Sequence, residues 1–179
     1  MLAIDAVPGP IAAVAAAPAA TVTCADKSEG AFRAPSARHD VLLGPLTFVG
    51  AADAATESLA QLRRFGDRWK VPLLVRPGHR VVVSVRPSSR AAVRLDYLQP
   101  HSATPEPVAL ARLPARMTFV ACADGATAGS SAGHTPVTFW SGSIAFRRVP
   151  ACVRLDVRVD GGPLRHRSFG LGDHRCATR

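Results

Sequence analysis

Lysine is nearly missing from this chain: two residues against twenty arginines in 179. Aromatics are scarce at 6%. Too few rings exist for an obvious base-stacking platform, and no run of Lys or Arg exceeds two residues (Arg63-Arg64, Arg147-Arg148). That pattern argues against a nucleic-acid partner. No C-x-x-C pair and no histidine at finger spacing occur, so a zinc site is not expected. No H-E-x-x-H is present, and Gly170-Leu171-Gly172 lacks the third glycine and following helix of a dinucleotide loop. The acids are dispersed, without the paired carboxylates of glycoside chemistry. No cofactor is therefore expected. Nor does any apolar run suffice for a transmembrane segment. No repeat at fixed period appears, which removes propellers and solenoids.

What the chain does have is positive charge. The formal net charge is +9, with 47% hydrophobic and 20% charged residues, the balance of one globular domain. Arginine, alanine, proline, glycine and valine are the set that GC-rich coding DNA favours. A basic surface can still attract an anionic cell-wall polymer, an anionic lipid or another envelope protein.

Residues 11–20, IAAVAAAPAA, form a short apolar stretch ending in small residues. Ala17-Pro18-Ala19 fits a signal-peptidase site that would leave Ala20 as the mature N-terminus. The leader MLAIDAVPGP carries Asp5 and no basic residue. The expectation is a signal peptide over 1–19 whose start lies upstream, and one mature domain over 20–179. The competing reading is an Ala/Pro tail. Four dispersed cysteines, Cys24, Cys122, Cys152 and Cys176, suggest two disulfides in an oxidising compartment. Three pairings are possible. Cys152 and Cys176 would flank the last hairpin, so Cys152–Cys176 with Cys24–Cys122 is expected.

After Cys24 the chain reads as short strands. Asp40–Leu43 and Leu46–Val49 are split by Gly44-Pro45. Trp69–Arg76 and Arg80–Arg86 are joined by Pro77-Gly78-His79, which reads as the clearest hairpin. In Ala91–Tyr97, alternation puts Val93, Leu95 and Tyr97 on one side and Arg94 and Asp96 on the other. A loop over Pro100–Pro107 precedes an edge strand at Val108–Arg112 and a strand at Arg116–Ala123. Val137–Arg147 reads as one bent strand, or two broken at Ser141-Gly142. In Cys152–Asp160, Val153, Leu155, Val157 and Val159 alternate with Arg154, Asp156, Arg158 and Asp160, and Gly161-Gly162 turns the chain into Leu164–Phe169. Only 53–65, capped by Asp53 or Thr56, looks helical. The whole predicts an all-β protein: an antiparallel β-sandwich, immunoglobulin-like or jelly-roll-like, with at most one short helix.

The segments CADKSEGAF, VLLGPLTFVG, KVPLLVRPGHRVVVSV, TFVACA, TFWSGSIA, ACVRLDVRVDG and FGLGDHRC cover most of 24–176 in order. In them the chain resembles a family of exported actinobacterial proteins to which no activity is assigned. The resemblance implies secretion and a compact β domain, and no reaction.

Gly129-Ser130-Ser131-Ala132-Gly133 matches the nucleophile elbow G-x-S-x-G, with His134 next. An elbow needs a strand before it and a helix after it. Here a β run follows, so Ser131 reads as a loop residue and an extracellular hydrolase using Ser131 and His134 is the alternative. His166 with Asp173-His174 could approach a metal-ligand set, but scattered turn histidines are the plainer reading. The sharper candidate is an anion-binding face of Arg147, Arg148, Arg154, Arg158, Arg165 and Arg167. The plainer reading of those arginines is a solvated sheet face with cross-strand ion pairs. Trp140 is expected in the core. The function expected is therefore non-catalytic: binding or structure at the cell envelope.

Overall fold

Short Val, Leu and Phe runs cut by Gly and Pro become twelve strands in the computed structural model, which describes residues 19–30, 32–63, 66–98, 109–124, 136–147, 151–172 and 176. They are β1 (Ala20–Val22), β2 (Val41–Leu43), β3 (Leu46–Phe48), β4 (Arg68–Lys70), β5 (Leu73–Val75) and β6 (Arg80–Val85). There follow β7 (Val93–Asp96), β8 (Arg116–Val120), β9 (Thr138–Trp140), β10 (Ser143–Phe146), β11 (Ala151–Val159) and β12 (Arg165–Leu171). The one α-helix among the described residues is α1 (Leu59–Arg63). The leader at 1–18, the 100–107 loop, and the GSSAG loop with Ser131 and His134 lie outside the described residues.

The fold is an all-β sandwich. One layer is the sheet β1-β8-β6-β11-β12. Two smaller sheets, β2-β3-β5-β9 and β4-β10-β7, make the other. These two share one register. Leu73 pairs with Trp140 and Lys70 with Ser143, so a single antiparallel alignment runs through both. Its interruption has a local cause. Pro72 has no N–H to give the ladder, and Ser141 N–H turns to Ser28 Oγ instead, 2.9 Å away. Val71 N–H still reaches the Gly142 carbonyl at 3.0 Å, so the sheet bends there rather than ending. The break expected at Ser141-Gly142 is present.

A single core joins all three sheets. Val81, Val83, Val85, Met117, Phe119, Val153, Leu155 and Val157 come from the first layer, and Leu46, Phe48, Leu73, Val93, Leu95, Trp140, Ile144 and Phe146 from the second. Phe119 contacts the rings of both Tyr97 and Trp140 edge-on, with centroids 5.2 and 5.5 Å apart. Trp140 is buried, as expected, and donates its Nε1–H to the Thr23 carbonyl at 3.1 Å. The outer side of β5 and β9 is covered too. Leu74 and Phe139 pack there with Phe32, whose ring meets Phe139 at 4.4 Å. Ser28 N–H binds the Phe139 carbonyl. The polar segment after Cys24 is thus a cover laid across the sheet.

Several sequence expectations change. Pro77-Gly78-His79 does not close a hairpin: β5 pairs with β3 and β9, whereas β6 pairs with β8 and β11. The turn, with Gly78 at φ 73°, carries the chain from one layer to the other. Tight turns look alike in sequence whether they join neighbours or change layers. Among the described residues, the helix expected over 53–65 is a 3-10 turn at Asp53–Ala55 and the five residues of α1. Ser58 Oγ accepts from Gln61 N–H at 3.2 Å, so Ser58 holds that end rather than Asp53 or Thr56. The edge strand expected near 108–112 is a 3-10 turn at Leu110–Arg112. Asp96 lies on the side away from Val93, Leu95 and Tyr97, as alternation sets it, yet is buried there and held by Arg68 Nε at 2.8 Å. Strand β1 had no signal of its own. It pairs in parallel with β8, an exception to the antiparallel rule here.

Both expected disulfides form, Cys24–Cys122 and Cys152–Cys176. Cys24 follows β1 and Cys122 follows β8, so the first bridge ties the only parallel pair among the described strands. No tight turn could join parallel neighbours. The pair of bridges fits a protein kept outside the reducing cytoplasm. No helix among the described residues is long and apolar enough to cross a membrane.

Candidate anion-binding face

Alternation along β11 turns Val153, Leu155 and Val157 into the core and Arg154, Asp156 and Arg158 outward. Register then decides which side chains join them. Asp156 lies opposite Ser84 on β6 and His166 on β12; Ser84 lies opposite Arg116 on β8. Arg86 N–H binds the Arg154 carbonyl at 2.9 Å, which places Arg86 beside Arg154 at one end. Arg80 sits at the other end, its N–H held by Asp160 Oδ1 at 2.8 Å. The outer face of the five-stranded sheet therefore carries Arg80, Arg86, Arg116, Arg154 and Arg158, with Asp156 among them and Asp160 at the margin.

Of the six arginines named from sequence, this face unites two, Arg154 and Arg158. Arg165 and Arg167 pair with Val157 and Leu155, so they extend from the opposite side of β12, where that strand runs past the core into solvent. Arg147 ends β10 in the other layer, its N–H on the Ala92 carbonyl. Arg148 lies outside the described residues. The three arginines missed, Arg80, Arg86 and Arg116, had a partial signal: the spacing of RVVVSVR puts Arg80 and Arg86 on one face of β6. Joining them to β11 requires the cross-strand register, which no local pattern contains.

Charge balance within the face is uneven. Asp156 accepts from His166 Nδ1 at 2.7 Å and faces Arg86 Nε at 3.4 Å. Arg158 Nη1 donates to the Gly162 carbonyl at 3.1 Å. Among the described residues no carboxylate pairs with Arg116 or Arg154. Arg154 instead stands opposite Arg86, whose charge Asp156 offsets in part, so this end of the face stays net positive. Arg80 N–H and then His79 hold the Asp160 carboxyl below the usual carboxylate range.

The described histidines are all engaged. His39 pairs with Asp53 at 2.8 Å, His79 with Asp160 at 2.6 Å and His166 with Asp156 at 2.7 Å, each through Nδ1. Asp173 and His174 lie outside the described residues, as does His101. Among the described residues no group of three His, Cys, Asp or Glu is placed to hold a metal ion.

Comparison with protein-family models, with curated proteins and with solved structures finds no match.

Proposed function

We propose that this protein is an exported, non-catalytic β-sandwich whose arginine face docks on an anionic polymer of the cell envelope. The observation that carries the reading is the outer face of the five-stranded sheet, where five arginines share a face with Asp156, Asp160 lies at its margin, and Arg86 and Arg154 are cross-strand neighbours. A row of phosphates or carboxylates laid along that face would offset its net positive charge and bind several guanidiniums at once, with the bidentate geometry arginine offers. The two disulfides suit a protein working outside the cell, where no chaperone or reductant maintains the fold. The Ala17-Pro18-Ala19 site and the likeness to exported actinobacterial proteins support the same placement.

The test is co-sedimentation of the disulfide-bonded domain with purified cell walls, before and after extraction of their phosphate-bearing polymers. Binding to intact walls and release from extracted ones is expected. Equal partition onto both would overturn the reading.

A further inference from the structure

The second layer carries a separate feature, where α1 and the turn before β4 meet the end of β10. A half-open cavity of about 170 Å³ is lined there by Arg63, Asp67, Ala145 and Arg147. Two cations and one carboxylate share this small space, yet among the described residues Asp67 forms no ion pair with either arginine. Asp67 also adopts a positive φ of 58°, directly after Gly66 at 66°. Its backbone is fixed there by Phe146 N–H, which donates to its carbonyl at 2.9 Å. A non-glycine residue in that conformation is uncommon and clusters at binding sites.

Two unsatisfied donors lie on the strands behind it. Among the described residues, two buried side-chain polar atoms lack any hydrogen-bond partner: Arg94 Nε and Ser143 Oγ. Both belong to one face of the β4-β10-β7 sheet. Arg94 lies opposite Ala145, and Ser143 is two residues before Ala145 on β10. Buried polar atoms are nearly always paired, so these two orphans, though sealed behind the cavity rather than lining it, show that acceptors are scarce on this face. Burial, then the charges of Arg90 and Arg147, push the Arg94 guanidinium below its ordinary value. The nearest described carboxylates on this face are Asp96, already held by Arg68, and Asp67.

We propose that this cavity binds the oxyanion group, phosphate or carboxylate, of a small hydroxylated ligand. Arg147 and Arg63 hold the oxyanion, Arg94 adds positive field from beside the floor, and Asp67 accepts a hydroxyl. The site is independent of the arginine face on the other layer.

Isothermal titration with inorganic phosphate, glucose 1-phosphate and glucose tests it. Both phosphates bind and glucose does not, with glucose 1-phosphate the tighter. Arg147→Gln weakens both phosphates on the order of tenfold, the loss of one charged hydrogen bond. Asp67→Asn keeps the backbone conformation and removes the advantage of the sugar phosphate alone. Arg38→Gln, exposed before β2 and outside both arginine sets, binds as the parent does. Absence of heat with either phosphate at millimolar concentration overturns the proposal. So does an Arg147→Gln titration equal to the parent, or a loss of binding in Arg38→Gln instead.

Discussion

Tyr97 lies against Gly142 so closely that a methyl group at position 142 would overlap its ring. The phenol Oη–H donates to the Val71 carbonyl at 2.7 Å, fixing the ring across the bend where the second layer divides. Burial, with Asp96 nearby, raises the phenol well above its ordinary value, so it remains a donor across the working pH range. Gly142→Ala is expected to cost about 1–3 kcal/mol through overpacking. Tyr97→Phe costs about 1–3 kcal/mol by leaving a buried carbonyl unpaired. In a Tyr97→Ala background the Gly142→Ala penalty shrinks, because the clash has gone. Chemical denaturation of the parent, Gly142→Ala, Tyr97→Ala and the double variant measures it; equal penalties in both backgrounds contradict the assignment.

The two disulfides are unequal in what they constrain. Cys24–Cys122 closes 98 residues and Cys152–Cys176 closes 24. In the chain-entropy picture these are worth about 4.7 and about 3.4 kcal/mol. Replacing Cys24 and Cys122 with alanine should therefore lower the unfolding midpoint further than replacing Cys152 and Cys176. The reverse order would show that native contacts, not loop closure, set the difference.

Asp160 gives a pH signature. Its folded-state pKa is depressed, first by the Arg80 N–H and then by His79. Such a group stabilises the fold above its unfolded pKa, near 4, and that contribution disappears as pH falls through the lower folded value. Asp160→Asn retains the positive φ of the turn, at 48° here, and removes the charge. The stability gap between parent and variant should be open at neutral pH, within about 1 kcal/mol for so exposed a pair, and close in acid. Unfolding curves at several pH values check this. A gap that widens in acid refutes it.

Local chemistry made part of this molecule readable. Alternation in 152–160, the glycine turns and the cysteine positions led to β11, to the final hairpin and to both bridges. Gly44, Gly78 and Gly161 all take the positive φ that their turns suggested. What stayed hidden depends on contacts distant in sequence. β1 owes its existence to a parallel partner nearly a hundred residues away. Asp96 is buried because Arg68, on β4, comes to meet it. The arginine face was half legible for the same reason: Arg154 and Arg158 share a strand, whereas Arg80, Arg86 and Arg116 join them through register. Arg165 and Arg167, adjacent to that strand in the hairpin, fall on the other side of it by one residue of phase.

The central claim is that the outer face of the five-stranded sheet binds a polyanion through its arginines. The most direct measurement is affinity for a glycerol-phosphate polymer against salt concentration, for the parent and for Arg116→Gln, Arg154→Gln and the pair combined. Each guanidinium engaged with a phosphate releases counterions, so each substitution should reduce the slope of log K against log salt by about one. The account predicts a stepwise loss of slope with unchanged thermal stability. A slope identical in all four proteins would contradict it.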